Sequence, residues 1–203
     1  MICPICNKRP AKRFCPAKGE KICAICCGTE REVTIDCPAD CAYLISARRY
    51  EKEHRKPITA DQVPYRDVNV SSDFIHQRRE VVSGLGMAIL KFAAENKSLD
   101  DSGAMDALGA LAETYRTLGT GIYYEKPPDG PVARALYGQL SQYLQDFKKQ
   151  ETERSGFSCL KDSQIFHLLI FLLRVARLET YERPRSRAFL DFLRAQFPRP
   201  SEV

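Results

Sequence analysis

Cysteine carries most of the chemistry in this sequence, and it is unevenly placed. Of nine cysteines in 203 residues, eight fall between Cys3 and Cys41, and Cys159 stands apart. Their spacing is C-x2-C-x8-C-x7-C-x2-C-C-x9-C-x3-C. Zinc takes four soft ligands in a tetrahedron, and two cysteines separated by two residues reach one ion from a single tight turn. The eight thiols of Cys3, Cys6, Cys15, Cys23, Cys26, Cys27, Cys37 and Cys41 make two such sets with none left over. The expected cofactor is therefore zinc, two ions with four cysteine ligands each. About forty residues of this composition bury too little apolar surface to fold unaided, so the metal would hold them together. An iron–sulfur cluster ranks second, because Cys26-Cys27-Gly28 and Cys37-Pro38 also suit cluster ligation, although the compact bacterial ferredoxin run is absent. A disulfide framework ranks third, since it needs an oxidising compartment. The opening Met1-Ile2-Cys3-Pro4-Ile5-Cys6 has neither the basic nor the apolar region of a secretory signal, and a cytoplasmic location is expected.

Other reactive constellations are weak. Zinc deaminases place Glu two residues after a His, and none of His54, His76 or His167 has one there. Cys159 and His167 are about two helical turns apart, too far for a base to activate a thiolate, and Cys159 reads as a buried structural residue. Gly84-x-Gly86 lacks the third glycine and the preceding strand of a dinucleotide site and reads as a place of close helix packing. No catalytic residue is assigned, and the protein is expected not to be an enzyme.

The order Cys3-x2-Cys6, Phe14-Cys15, Ile22-Cys23-x2-Cys26, then Cys37 and Cys41, resembles the B-box zinc finger. It is similar, more distantly, to the HIT and MYND fingers. The resemblance covers residues 1–41 only; the remainder carries no recognised family motif. It implies a cross-brace, in which alternate ligand pairs bind alternate ions. One site would then be Cys3, Cys6, Cys23 and Cys26, and the other Cys15, Cys37, Cys41 and one more. The B-box usually has Asp or Cys three residues after its third ligand. Lys18 sits there, and an ammonium has no lone pair to donate. Cys27 is the natural replacement, and Cys37 and Cys41 stand where the B-box has late histidines. Which of Cys26 and Cys27 serves which ion stays open.

The elements that must position these residues follow from periodicity and breakers. Residues 1–41 show no helical period and read as loops with the only strand signals in the chain. Tyr43, Leu44, Ala47 and Tyr50 predict a helix over about 42–55. Pro57 to Pro64 reads as an extended linker. Beyond it, Ile75 to Phe92 forms one stripe ending near Asn96, and Asp100 opens a second helix carrying Leu108, Tyr115 and Leu118. Val132 to Phe147 marks a third, whose end dissolves into the charged tract 148–154. Ile165 to Leu173 is apolar nearly all round and marks the central helix, and Phe189 to Phe197 a short closing one. The loop from Gly121 to Pro128, with two tyrosines and Glu125, is either a recognition surface or a buried anchor on the bundle.

The fold class is thus mainly α: a small two-zinc cross-brace module followed by a helical bundle of four to five helices. The expected divisions are a zinc-binding module over 1–41, a connecting helix over 42–56, a linker over 57–70 and a bundle over 71–203. Residues 1–56 hold a formal charge of +5, all the excess in the chain. Eight thiolates and two divalent ions would leave about +1 there, so basic charge alone argues weakly for nucleic acid. No apolar run approaches the roughly 20 residues needed to span a bilayer, and no membrane partner is expected. The expected role is that of a non-enzymatic adaptor docking another protein. The alternative is nucleic-acid binding or regulation through basic residues near the zinc module: Lys8, Arg9, Lys12 and Arg13 in one loop, and Arg48, Lys52 and Arg55 on one helix face. That face also reads as a solvated one balanced by Glu51 and Glu53. Homo-oligomerisation is left open.

Overall fold

Helices dominate the computed structural model, which describes residues 1–121, 124–157 and 160–197. Cys159, and Ile122 and Tyr123 of the 121–128 loop, lie outside the described residues. The chain packs as two units. One comprises Met1–Pro57 with Tyr181–Ser186, the other Ile58–Thr180 with Arg187–Val203. The sequence reading leaves residues 181–186 inside the bundle; their contacts place them with the cysteine-rich unit.

In the first unit, β1 (Arg13–Cys15) pairs antiparallel with β2 (Glu20–Ile22), with Cys15 opposite Glu20. Gly19, at φ +68°, supplies the left-handed residue that the connecting turn requires. Helix α1 (Ala24–Glu30) follows, and α2 (Ala42–His54) begins directly after Cys41, its N-cap residue. The α1 helix corrects the expectation of loops throughout residues 1–41. It carries no apolar stripe for a periodicity argument to find, because its single buried residue is Cys26. Its start is fixed instead by sulfur: Cys23 Sγ accepts the Cys26 N–H at 3.3 Å. The interior of this unit is mostly sulfur, with Cys3, Cys15, Cys23 and Cys26 buried around Ile22 and Ile35.

The second unit contains the long helices α4 (Arg79–Glu95), α5 (Asp101–Leu118), α6 (Pro131–Ser155) and α7 (Asp162–Glu179). A six-residue α3 (Ser72–Gln77) precedes them and a short α8 (Ala188–Gln196) follows. The fold is mainly α, and this unit is a helical bundle. Its most extensive helix pairing is α5 on α7. Helix α7 buries Ile165, Leu168, Leu169, Ile170 and Leu172, as expected of a central helix. The stripe read as one helix up to Asn96 is interrupted at Arg78, which leaves helical geometry and donates to Gln164 Oε1 at 3.2 Å. Helix α6 runs through the charged tract and stops at Gly156, in the left-handed conformation at φ +77°. The Pro57–Pro64 stretch holds a one-turn 3-10 helix, Ala60–Gln62, capped by Thr59. Gly84 and Gly86 do lie at close approaches: a Cβ on Gly84 would fall 1.7 Å from Tyr143 Oη, and one on Gly86 2.7 Å from Phe197. Among the described residues no helix is long and apolar enough to cross a membrane.

Candidate metal centre

Four local structures deliver the cysteines of residues 1–41. The first is the turn Cys3-Pro4-Ile5-Cys6, closed by Asn7 N–H donating to Cys3 O at 2.8 Å and Cys3 N–H to Arg9 O at 2.8 Å. Asn7 takes φ +50° there, a conformation asparagine tolerates better than most residues. The second is the hairpin, which carries Cys15 at the end of β1, while β2 leads into Cys23. The third is α1, whose first turn presents Cys26 and Cys27. The fourth is the segment entering α2, where Cys37 N–H donates to Ile35 O and Cys41 N–H to Pro38 O.

Cys3, Cys6, Cys23 and Cys26 converge, their sulfurs all within 4.8 Å of one another. The Cys6 and Cys23 sulfurs are 3.9 Å apart. Four sulfurs placed tetrahedrally about 2.3 Å from one zinc stand about 3.8 Å apart, so the set has the dimensions of a single-ion site. A disulfide would need about 2.05 Å, and all eight cysteines of residues 1–41 are unbridged.

Electrostatics favour a cation in this set. Burial raises the Cys3 thiol, but backbone N–H groups of Cys23, Cys6 and Ile5 outweigh it and bring its pKa down to about 6. Backbone N–H groups of Lys8 and Arg9 lower Cys6 in the same way. Burial, then the sulfurs of Cys23, Cys6 and Cys3, push Cys26 up to about 12. Burial is the larger cause of that rise, and the neighbouring sulfurs add to it. A divalent ion held by Cys3, Cys6, Cys23 and Cys26 would compete with protons for these sulfurs and favour their thiolate form. The residues present therefore fit a metal ion bound by four thiolates.

Cys15, Cys27, Cys37 and Cys41 come together differently. All four line one small cavity of about 10 Å³, with Arg31 and Leu44 also on its wall. Burial raises the Cys37 thiol, the Glu32 N–H lowers it, and negative charge on Cys41, Glu32 and Cys15 raises it further. Among the described residues only the Cys3 set draws all its sulfurs within 4.8 Å. Lys18 is exposed in the hairpin turn and does not line the cavity.

Sequence reasoning missed the charged scaffold beside these cysteines. Glu32, 2% exposed and at φ +55°, accepts from Arg48 Nη2 at 2.5 Å. Glu51 accepts from Arg31 at 2.9 Å and from Arg183 at 2.6 Å. Arg183 also donates to Arg31 O, Arg185 N–H to Glu32 O, and Tyr181 Oη to Arg48 O. Residues 181–186 thus brace the cysteine-rich unit, a role that their charge pattern does not reveal because Arg31, Glu32, Arg48 and Glu51 are all more than a hundred residues away. Arg48, read as part of an open basic face, points at Glu32, and Arg55 lies over the Tyr181 ring at 5.9 Å. His167 is half-buried with its ring edge-on to Phe74 at 6.0 Å. No known protein family, curated protein or solved structure matches this chain.

Proposed function

We propose that the cysteine-rich unit is a two-zinc cross-brace of the B-box type and that the chain is a non-enzymatic adaptor that docks another protein in the cytoplasm. The observation that carries the reading is the convergence of Cys3, Cys6, Cys23 and Cys26 at single-ion spacing. Cys15, Cys27, Cys37 and Cys41 serve the second ion from the cavity that they share. The two sets alternate along the chain, as the cross-brace requires. Zinc suits both because every donor is a soft thiolate, and four thiolates leave no position for water or substrate. Such ions supply structure: each ties three or four loops together in a unit whose only deeply buried aliphatic side chains before α2 are Ile22 and Ile35.

The adaptor reading is supported by what this unit exposes. Ile2, Phe14 and Ile25 are 64%, 55% and 53% exposed and offer apolar surface to a partner. Binding to a protein partner through them is insensitive to salt and is lost in Ile2→Asp/Ile25→Asp with zinc content unchanged. Binding of generic duplex that falls steeply with salt contradicts the adaptor reading.

A further inference from the structure

The helical unit contains a cleft of about 630 Å³, within the roughly 300–1,000 Å³ of small-molecule sites. One face of α5, with Gly109 and Ala110 at its centre, forms the floor. Tyr65 and the 124–130 loop form the walls.

The fold holds this cleft open. Gly109 lies in the middle of α5, yet a Cβ there would meet nothing within 4 Å. Glycine weakens a helix relative to alanine. At Gly84 and Gly86 a neighbouring ring accounts for that cost, but at Gly109 no neighbour does. Gly109 opens directly onto the cleft floor, where its missing side chain leaves clear space. The loop wall is pinned from three sides. Thr117 Oγ1 donates to Tyr124 O at 3.3 Å, Tyr137 Oη to Glu125 Oε1 at 2.8 Å, and Arg134 Nε to Pro128 O at 3.0 Å. The opposite wall is strained: Tyr65 takes φ +51°, a conformation costly for a bulky residue that persists only under tight constraint. Arg174 supplies the constraint, donating to the carbonyls of Pro64, Tyr65 and Val68 at 3.0, 2.5 and 2.8 Å. The Tyr65 hydroxyl donates in turn to Glu113.

The lining charges indicate what the cleft accepts. Glu113 is already satisfied by Tyr65 and by Arg116 Nε at 2.8 Å. Asp106 and Asp129 have no cation paired with their carboxylates among the described residues, and apart from the mutually paired Glu113 and Arg116 the one other charged side chain on the wall is Lys126. Two carboxylates against one ammonium, with two phenol rings beside them, suit a cation that also presents a flat apolar face.

We propose that this cleft binds a small organic cation, an amine or guanidine on a flat apolar body, with its charge on Asp106 and Asp129 and its body over Gly109 and Ala110 beside Tyr65 and Tyr124. All of its lining residues belong to the second unit. Isothermal titration of the full-length zinc-loaded protein with tyramine and phenylguanidine tests it, with 4-hydroxyphenylacetate as the anionic counterpart. Both cations bind, and the anion binds at least about tenfold more weakly. Gly109→Leu fills open space on a helix and abolishes binding without lowering the thermal midpoint. Asp106→Asn/Asp129→Asn, two exposed positions, weakens cation binding by about tenfold or more while the helical spectrum is unchanged. Failure of both cations to bind, equal binding of the anion, or unaltered binding by either variant overturns the proposal.

Discussion

The sulfurs of Cys6 and Cys23 stand 3.9 Å apart although 17 positions separate them in the chain. That approach joins the first turn of the protein to the start of α1, and Cys3 and Cys26 complete the set around it. Closing the chain between Cys6 and Cys23 costs conformational entropy that the closed state must offset. Metal binding is the free-energy source that fits, because the donors are already arranged and the apolar core is small.

Cys27→Ser separates the ligand assignments. With Cys26 in the first set, Cys27 faces the second cavity and its loss releases one zinc while the Cys3 set keeps the other. Lys18→Ala retains both, since Lys18 sits exposed in the hairpin turn. Native mass spectrometry counts the ions directly. Full retention in Cys27→Ser removes it from the ligand set.

Chelation unfolds the cysteine-rich unit and leaves α4 to α7 folded. Those helices bury their own continuous core, including Leu85, Leu108, Leu111, Leu140 and Leu168. Most helical circular dichroism therefore survives treatment with a strong chelator, while protease cuts appear within residues 1–41. Loss of the whole helical signal contradicts this.

Glu32→Ala removes a buried carboxylate that meets Arg48, whose side chain is only 16% exposed. Breaking such a pair by removing one partner costs roughly 3–5 kcal/mol when both are fully buried, and the partial exposure of Arg48 sets the expected loss at the lower end. The thermal midpoint of zinc-loaded protein falls accordingly. An unchanged midpoint shows the pair to be incidental.

Asp101→Ala loosens α8. Asp101 is 1% exposed, and its Oδ1 accepts from the backbone N–H groups of Phe189 and Leu190 at 3.2 and 3.4 Å. Leaving those donors unsatisfied costs about 1–3 kcal/mol. Hydrogen exchange at Phe189 and Leu190 rises well before exchange in α5; equal rates in variant and wild type contradict the assignment.

How far these features were legible depended on whether their cause was local. The bundle helices follow from stripes such as Leu108, Leu111 and Tyr115, and Asp100 marked the start of α5, where its side chain caps Gly103 N–H at 2.8 Å. Its neighbour Asp101 serves α8 nearly ninety residues later, which no local pattern announces. Cysteine spacing likewise named the ligand candidates, since the chemistry of thiolates is written in residue type. It left α1 invisible because a sulfur, Cys23 Sγ, caps that helix in place of the usual oxygen. The brace from Tyr181 to Ser186 was hidden for the same reason as Asp101: its partners are distant in sequence.

Elemental analysis of full-length protein purified without added metal tests the central claim most directly. Two zinc ions per chain, with no iron and no visible absorbance, is the result expected from the Cys3, Cys6, Cys23, Cys26 set and the Cys15, Cys27, Cys37, Cys41 set together. A ratio near one zinc, or stoichiometric iron with visible absorbance, contradicts the two-zinc account.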